Sequence, residues 1–253
     1  MKKISKPLII ANWKTFPATI KEATSFIKAL EKKYTAIKHL PPYLIAVPEA
    51  FIGTLSTITN QGVIGAQNIS GTILGASTGE TTATQLRSAG ASFAIVGHSE
   101  VRARGETQDL LIQKIELSLL AGLLTVVCCG EHDRDEKGAY LKELEYELST
   151  LLSHLDSKLY HNLVIAYEPL WAIGKDVSAT SKECFEVIIA LRRALANMVG
   201  IDVAKKVRIV YGGAVTPDNA EEFLTEGGVD GLLLGRSSQD VASYLSILSS
   251  QAQ

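Results

Sequence analysis

The chain has 253 residues, 46% hydrophobic and 21% charged, a composition able to bury a full globular core. Its formal net charge of -2 gives no electrostatic reason to expect nucleic acid or an anionic membrane surface as partner. Three cysteines, two of them adjacent, make neither a disulfide framework nor a metal-ligand spacing, and a reducing cytoplasm is the simplest home for them.

Lys2, Lys3 and Lys6 open the chain, but the apolar stretch Leu8 to Ala11 is too short for a signal-peptide core. The longest apolar stretch, Leu117 to Cys129, is interrupted by Ser118 and Gly122 and cannot span a bilayer. Short β-type runs recur at Leu8–Asn12, Leu44–Val47, Val63–Gln67, Phe93–Gly97, Leu123–Cys128, Leu163–Glu168, Val207–Tyr211 and Gly231–Leu234. They are rich in Val, Ile and Leu without alternation, as in parallel strands buried on both faces. Between them, Ala18–Lys33, Thr107–Ala121, Gly138–His154 and Thr180–Val199 carry apolar residues at helical spacing. Thr180-Ser181-Lys182-Glu183 has the capping-box pattern, and Thr216-Pro217 sets a cap residue before a proline expected in a first helical turn. No linker or composition shift marks a second domain. Eight strand–helix units predict one (β/α)8 barrel with eight parallel strands over residues 1–253. An open doubly wound sheet is the competing architecture. It would more naturally carry a glycine-rich nucleotide loop after its first strand, where this chain has Asn12-Trp13-Lys14.

In such a barrel, polar groups at the carboxyl ends of the strands converge on one rim. Glu168 ends an apolar run, and Pro169 keeps its backbone extended rather than helical. Lys14, beside Asn12, can offer a fixed positive charge to a phosphate or a developing oxyanion. Gln67-Asn68 ends the third run, and Gly97-His98-Ser99-Glu100 ends the fourth with an imidazole and a carboxylate two residues apart. Glycines at Tyr211-Gly212-Gly213-Ala214 and Gly231-Leu232-Leu233-Leu234-Gly235 leave backbone N–H groups open to an anion. The loops after the seventh and eighth strands are the recurring phosphate site of these barrels. Each feature alone has a bland alternative: a solvated lysine, a structural histidine, a surface carboxylate, glycines that only turn the chain. Their sum favours a phosphometabolite site.

Asn12-Trp13-Lys14, Ala66-Gln67-Asn68, Thr78-Gly79-Glu80, Gly97-His98-Ser99-Glu100, Cys128-Cys129-Gly130-Glu131, Tyr167-Glu168-Pro169, Trp171-Ala172-Ile173-Gly174 and Tyr211-Gly212-Gly213 follow one another in this order. In this set and order the chain resembles the triosephosphate isomerase family over essentially its whole length. The resemblance implies interconversion of dihydroxyacetone phosphate and glyceraldehyde 3-phosphate through an enediolate, with no metal or organic cofactor. It assigns Glu168 as the base and a neutral His98 as the electrophile, a tautomer that sequence cannot establish. Lys14 and Asn12 become electrostatic and polar contacts, and Glu100, near His98 and Lys14, has the least settled role. Phosphate contacts fall to the N–H groups of Gly174, Ala214, Gly235 and Arg236. Residues 169–180 match a lid that excludes water from the intermediate. Residues 68–82, a long connection read on its own as a surface loop, imply a homodimer in which Thr78 approaches the partner's site. Cys128 reads as a small core residue.

Some positions depart from the family pattern. Val101-Arg102 replaces a pair of arginines, and the stretch after it is shorter by about one residue, which puts the packing of the histidine turn in question. The lid tip reads Gly174-Lys175-Asp176-Val177-Ser178, without its second glycine. Ala214 replaces a serine and Arg236 a glycine. Arg236 is read as solvent-facing with its N–H still used; a guanidinium reaching the phosphate directly is the alternative. A different phosphosugar isomerase or lyase, or a phosphometabolite-binding protein that has lost catalysis, are the rival functions. Retention of Lys14, His98 and Glu168 counts against both.

Overall fold

The structure, a computed structural model, describes residues 7–172 and 178–250. Strands β1 (Leu8–Asn12), β2 (Leu44–Val47), β3 (Val63–Ala66), β4 (Phe93–Val96), β5 (Leu124–Cys129), β6 (Leu163–Tyr167), β7 (Arg208–Tyr211) and β8 (Gly231–Leu234) form a closed parallel barrel in chain order. The seam closes where β1 pairs with β8, Leu8 beside Gly231 and Ala11 beside Leu234. Outside lie α1 (Ile20–Tyr34), α2 (Ile52–Ile58), α3 (Ala83–Ser88), α4 (Ser99–Arg102), α5 (Gln108–Leu120), α6 (Ala139–Leu152), α7 (Ser181–Val199), α8 (Ile201–Ala204), α9 (Ala220–Glu226) and α10 (Val241–Ser249). No described helix is long and apolar enough to cross a membrane.

Alternation along the strands builds two cores, which is why the runs read as continuously apolar. Leu8, Ile10, Leu44, Phe93, Ile95, Val126, Cys128, Val164, Val210 and Leu233 form one buried cluster. Ile9, Ala11, Ile45, Val47, Val127, Ile165 and Ile209 belong to the other, with the helix residues Ile27, Leu30, Leu144, Val187 and Leu191. A barrel interior filled in this way is a packed core and not a pore. Phe93 fills much of it: a Cβ at Gly65 would stand 2.4 Å from its ring. Cys128 is a small buried residue of the first cluster, as expected.

Capping chemistry sets the helix starts. Thr19, Thr82 and Thr180 each close a capping box with Glu22, Gln85 and Glu183 respectively. The expected strand ends move by one residue at five strands: β3, β4 and β6 stop at Ala66, Val96 and Tyr167, β5 runs from Leu124 to Cys129, and β7 starts at Arg208. Gln67, Gly97 and Glu168 thus stand just past their strands, where the chain turns out of the ladder. The expected helix start at Thr216-Pro217 is corrected. These residues form a turn, closed by Asn219 Oδ1 accepting from Thr216 N–H at 2.8 Å, and α9 begins only at Ala220. Asn219 reaches back to the Thr216 N–H as in a capping box, and the Thr216 carbonyl accepts from Ala220 N–H at 3.1 Å, but the intervening residues form a turn ahead of α9.

The seam leaves no room for a side chain at Gly231, whose Cβ would lie 2.0 Å from the Leu8 carbonyl oxygen. Two paired backbones cannot separate without opening the barrel. Gly231→Ala is expected to cost about 3 kcal/mol or more, measured by urea unfolding followed by circular dichroism; an unchanged midpoint would show that the seam yields.

Candidate active site

A cavity of about 800 Å³ opens at the carboxyl ends of the strands. It is lined by Asn12, Lys14, His98, Glu100, Glu168, Ala214, Gly235 and Arg236. These eight candidate site residues come from β1 and from the segments after β1, β4, β6, β7 and β8. Gly174 lies outside the described residues.

Glu168 is 2% exposed. Its backbone extends the ladder past β6, its N–H donating to the Cys129 carbonyl at 2.8 Å. This approach requires Gly130, where a Cβ would sit 1.7 Å from the Glu168 carbonyl oxygen. One carboxylate oxygen lies 3.2 Å from His98 Nε2 and the other accepts the Ser99 N–H at 3.2 Å. Burial pushes the Glu168 carboxyl up, against the opposing pull of His98, the Ser99 N–H and Lys14. An elevated carboxyl in a cavity is the condition of a general base operating near neutrality.

His98 caps α4, and its Nδ1 accepts the Glu100 N–H at 3.2 Å. A nitrogen that accepts from a backbone donor carries no hydrogen, so the ring hydrogen sits on Nε2, facing Glu168. The turn that presents the ring needs Gly97, at φ 74°. With Val101 in place of an arginine, Arg102 braces this turn: Nε donates to the Gly97 carbonyl at 2.9 Å and one terminal nitrogen to the Cys128 carbonyl at 2.7 Å. Its other terminal nitrogen pairs with Glu147 on α6 at 2.5 Å.

Lys14 occupies the left-handed backbone region at φ 55°, a conformation that costs a non-glycine residue on the order of 1 kcal/mol. Two side chains hold it there. Asn12 Oδ1 accepts the Lys14 N–H at 3.1 Å, and Gln67 Nε2 donates to the Lys14 carbonyl at 2.8 Å. The Lys14 ammonium is ion-paired to Glu100. Burial alone would push the Glu100 carboxyl up, but the bond and charge of Lys14, with His98 and Arg104, hold it below the usual carboxylate range. The two carboxylates of the cavity are therefore driven in opposite directions.

At the other end of the cavity, the N–H groups of Ala214, Gly235 and Arg236 bond to no backbone carbonyl among the described residues. Ala214 is fixed by Asn219 Nδ2, which donates to its carbonyl at 3.0 Å. Arg236 is exposed and opens a short 3₁₀ turn, Arg236–Ser238. Its φ is not positive, so the arginine occupies the glycine position without left-handed strain. Three such N–H groups in one cavity are of the kind that can take an anion.

Two supports carried little signal in the sequence. Gln67 follows a strand, but its partner is the backbone of Lys14, 53 positions earlier. Glu131 is buried, and one of its oxygens accepts from Tyr167 Oη at 2.8 Å, Trp171 Nε1 at 2.9 Å and Arg134 Nε at 2.8 Å. It ties the chain beyond Glu168 to the end of β5. The Cys-Cys-Gly-Glu run pointed at Glu131 without a role, and nothing pointed at Arg134. Among the described residues, no three His, Cys, Asp or Glu side chains converge as a metal-binding group.

The family model described as triosephosphate isomerase matches residues 7–251. The chain is 36% identical over 251 residues to the triosephosphate isomerase of Cytophaga hutchinsonii, covering 97% of this chain and 99% of that one. It is 36% identical over 252 residues to that of Carboxydothermus hydrogenoformans, covering 96% and 98% respectively. Among solved structures, the triosephosphate isomerase of Bartonella henselae superposes with a TM-score of 0.82 at 29% identity, over 98% of this chain and all of the other.

The elevated Glu168 carboxyl fixes the sign of a pH effect. A carboxyl raised in the folded state favours folding at low pH, where it is protonated, and this contribution is lost as pH rises through the folded value. Glu168→Gln, which never ionises, is expected to melt above the parent at pH 7.5, with the difference narrowing as pH falls towards the ordinary value of 4.5. Thermal melts across this range check it, and a variant less stable at pH 7.5 than at pH 4.5 relative to the parent would contradict the assignment.

Proposed function

The chain belongs to the triosephosphate isomerase family and is an isomerase, and from that premise we propose how its residues divide the work. The substrate phosphate is held by the N–H groups of Ala214, Gly235 and Arg236, with that of Gly174 added from the lid. The three-carbon chain then extends towards β4 and β6. Glu168 removes a proton from the carbon next to the carbonyl of dihydroxyacetone phosphate and returns it to the neighbouring carbon, while the hydroxyl proton passes from the first oxygen to the former carbonyl oxygen, giving D-glyceraldehyde 3-phosphate. His98 donates from Nε2 to the carbonyl oxygen as negative charge builds on it, the carbonyl replacing the Glu168 carboxylate as acceptor. Lys14 adds a fixed positive charge beside the enediolate, with Glu100 orienting its ammonium and Asn12 its backbone. Positioned donors of this kind each contribute on the order of 3 kcal/mol to a barrier. The reaction needs no cofactor or metal.

One observation carries the reading: a buried, elevated carboxylate faces the Nε2 of an imidazole whose Nδ1 is occupied, 3.2 Å away, in the cavity that also holds the open N–H groups. A binding protein has little use for an ionisable base buried at such cost.

We further infer a homodimer through residues 68–82. Ile73 and Leu74 in this stretch are 70% and 75% exposed, an adjacent apolar pair that a monomer would leave in water. The Ser70 N–H donates to the Thr81 carbonyl at 3.0 Å, closing the base of the loop, and Thr78 is exposed on it. We also read the chain as a single barrel domain, a reading the closed barrel of the described residues supports, and the three buried, unpaired cysteines support a cytoplasmic setting.

In a coupled assay with dihydroxyacetone phosphate, Glu168→Gln is expected to lower kcat by at least about 10²-fold. An inactive but folded parent would reject the reading. For the dimer, sedimentation is expected to give twice the chain mass of 27.2 kDa, falling towards one chain in an Ile73→Glu, Leu74→Glu variant; a monomeric parent would exclude it.

A further inference from the structure

Arg236 is the least expected residue of the cavity, since it stands where the family pattern has a glycine. On the reading above its backbone N–H binds the phosphate, a contact a glycine would supply equally, so anything further must come from the side chain. Among the described residues, the side-chain cations of the cavity wall are Lys14 and Arg236. The first is committed to Glu100. The Arg236 guanidinium makes no ion pair or side-chain hydrogen bond with any described residue. An exposed arginine can always be merely solvated, but this one begins the turn after β8 beside Gly235, and it lines the cavity together with Ala214. The cavity also holds the N–H groups of Ala214, Gly235 and Arg236, none bonded to a backbone carbonyl among the described residues.

We propose that the Arg236 side chain is a direct ligand of the substrate phosphate and a determinant of selectivity for the dianion. This rests on the isomerase reading and deepens it at the phosphate end. Backbone N–H groups are neutral donors that bind by dipole, whereas a guanidinium adds a full charge and a planar fork that matches two phosphate oxygens. The added charge discriminates most strongly between doubly and singly charged phosphate, because its attraction scales with the ligand's charge. It also makes substrate capture sensitive to ionic strength, as the site is open to solvent. Arg236 acts on binding and not on the proton transfer, since Glu168 and His98 reach the carbon chain from β6 and β4.

Arg236→Ala separates the side chain from the backbone, because it keeps the N–H and deletes only the fork. The expected result is a rise of about tenfold in KM for dihydroxyacetone phosphate, about the value of one charge-assisted contact, with kcat changed by no more than about twofold. Inhibition by inorganic phosphate should weaken by a similar factor, and the salt dependence of kcat/KM should flatten. Arg236→Lys should fall between, restoring charge without the fork. D-glyceraldehyde, which has no phosphate, serves as the control: the loss should be confined to the phosphorylated substrate. Unchanged KM and unchanged phosphate inhibition in Arg236→Ala would overturn the proposal, as would an equal loss on D-glyceraldehyde, which would mean that Arg236 only supports the turn. A parent that fails to isomerise dihydroxyacetone phosphate would instead sink the isomerase reading, and this inference with it. An active, phosphate-inhibited parent with an indifferent variant would reject the role of Arg236 alone.

Discussion

Closure of the sheet between β1 and β8 is the constraint on which everything else depends. Until Leu8 lies beside Gly231, Lys14 at one end of the sequence and Arg236 at the other have no reason to be neighbours. Once the ring is shut, parallel register leaves a single arrangement in which all eight carboxyl ends face one rim. The glycines at closest approach permit this: Gly231 against Leu8, Gly65 against the Phe93 ring, and Gly130 against Glu168. Rigid strands then fix the origins of the functional side chains, leaving only short turns to aim them.

The rim creates two electrostatic environments a few residues apart. Glu168 descends into the barrel mouth, loses its hydration and is driven towards its neutral form. Glu100 stays at the surface, takes the Lys14 ammonium and is held ionised. Identical chemical groups are thereby driven apart, Glu168 raised by burial and Glu100 lowered by its cation. The imidazole between them takes a backbone donor on one nitrogen and faces Glu168 with the other. The Glu100 N–H at Nδ1 leaves Nε2 as the hydrogen-bearing atom, and α4 is four residues long because its purpose is this turn.

Strain and support are paired throughout the site. The left-handed backbone of Lys14 is held by Asn12 and Gln67. The sharp turn at Gly97 is held by Arg102, which reaches from α4 to the Cys128 carbonyl and to Glu147. The chain leaving Glu168 is held by Glu131, whose one oxygen gathers Tyr167, Trp171 and Arg134. The substitution of Val101 for an arginine is absorbed because one guanidinium with three acceptors is enough to brace the turn. The departure at Arg236 is absorbed because its backbone is not left-handed.

The sequence by itself determined the barrel and the residues at its mouth. Uninterrupted apolar strands demand burial on both faces, capping residues mark helix starts chemically, and Lys14, His98 and Glu168 each follow an apolar run directly. These are local signals, and local physics writes them into adjacent positions. Thr216-Pro217 shows the limit, since its cap chemistry is present but opens a turn and α9 starts only at Ala220. Only the tertiary structure decided what depends on groups far apart in the chain. The elevation of Glu168 comes from burial by the assembled rim. The His98 tautomer comes from the Glu100 N–H reaching Nδ1, and the supports at Gln67, Glu131 and Arg134 come from partners elsewhere in the chain. Burial and hydrogen-bond geometry are properties of the closed barrel, so no single stretch of residues could announce them.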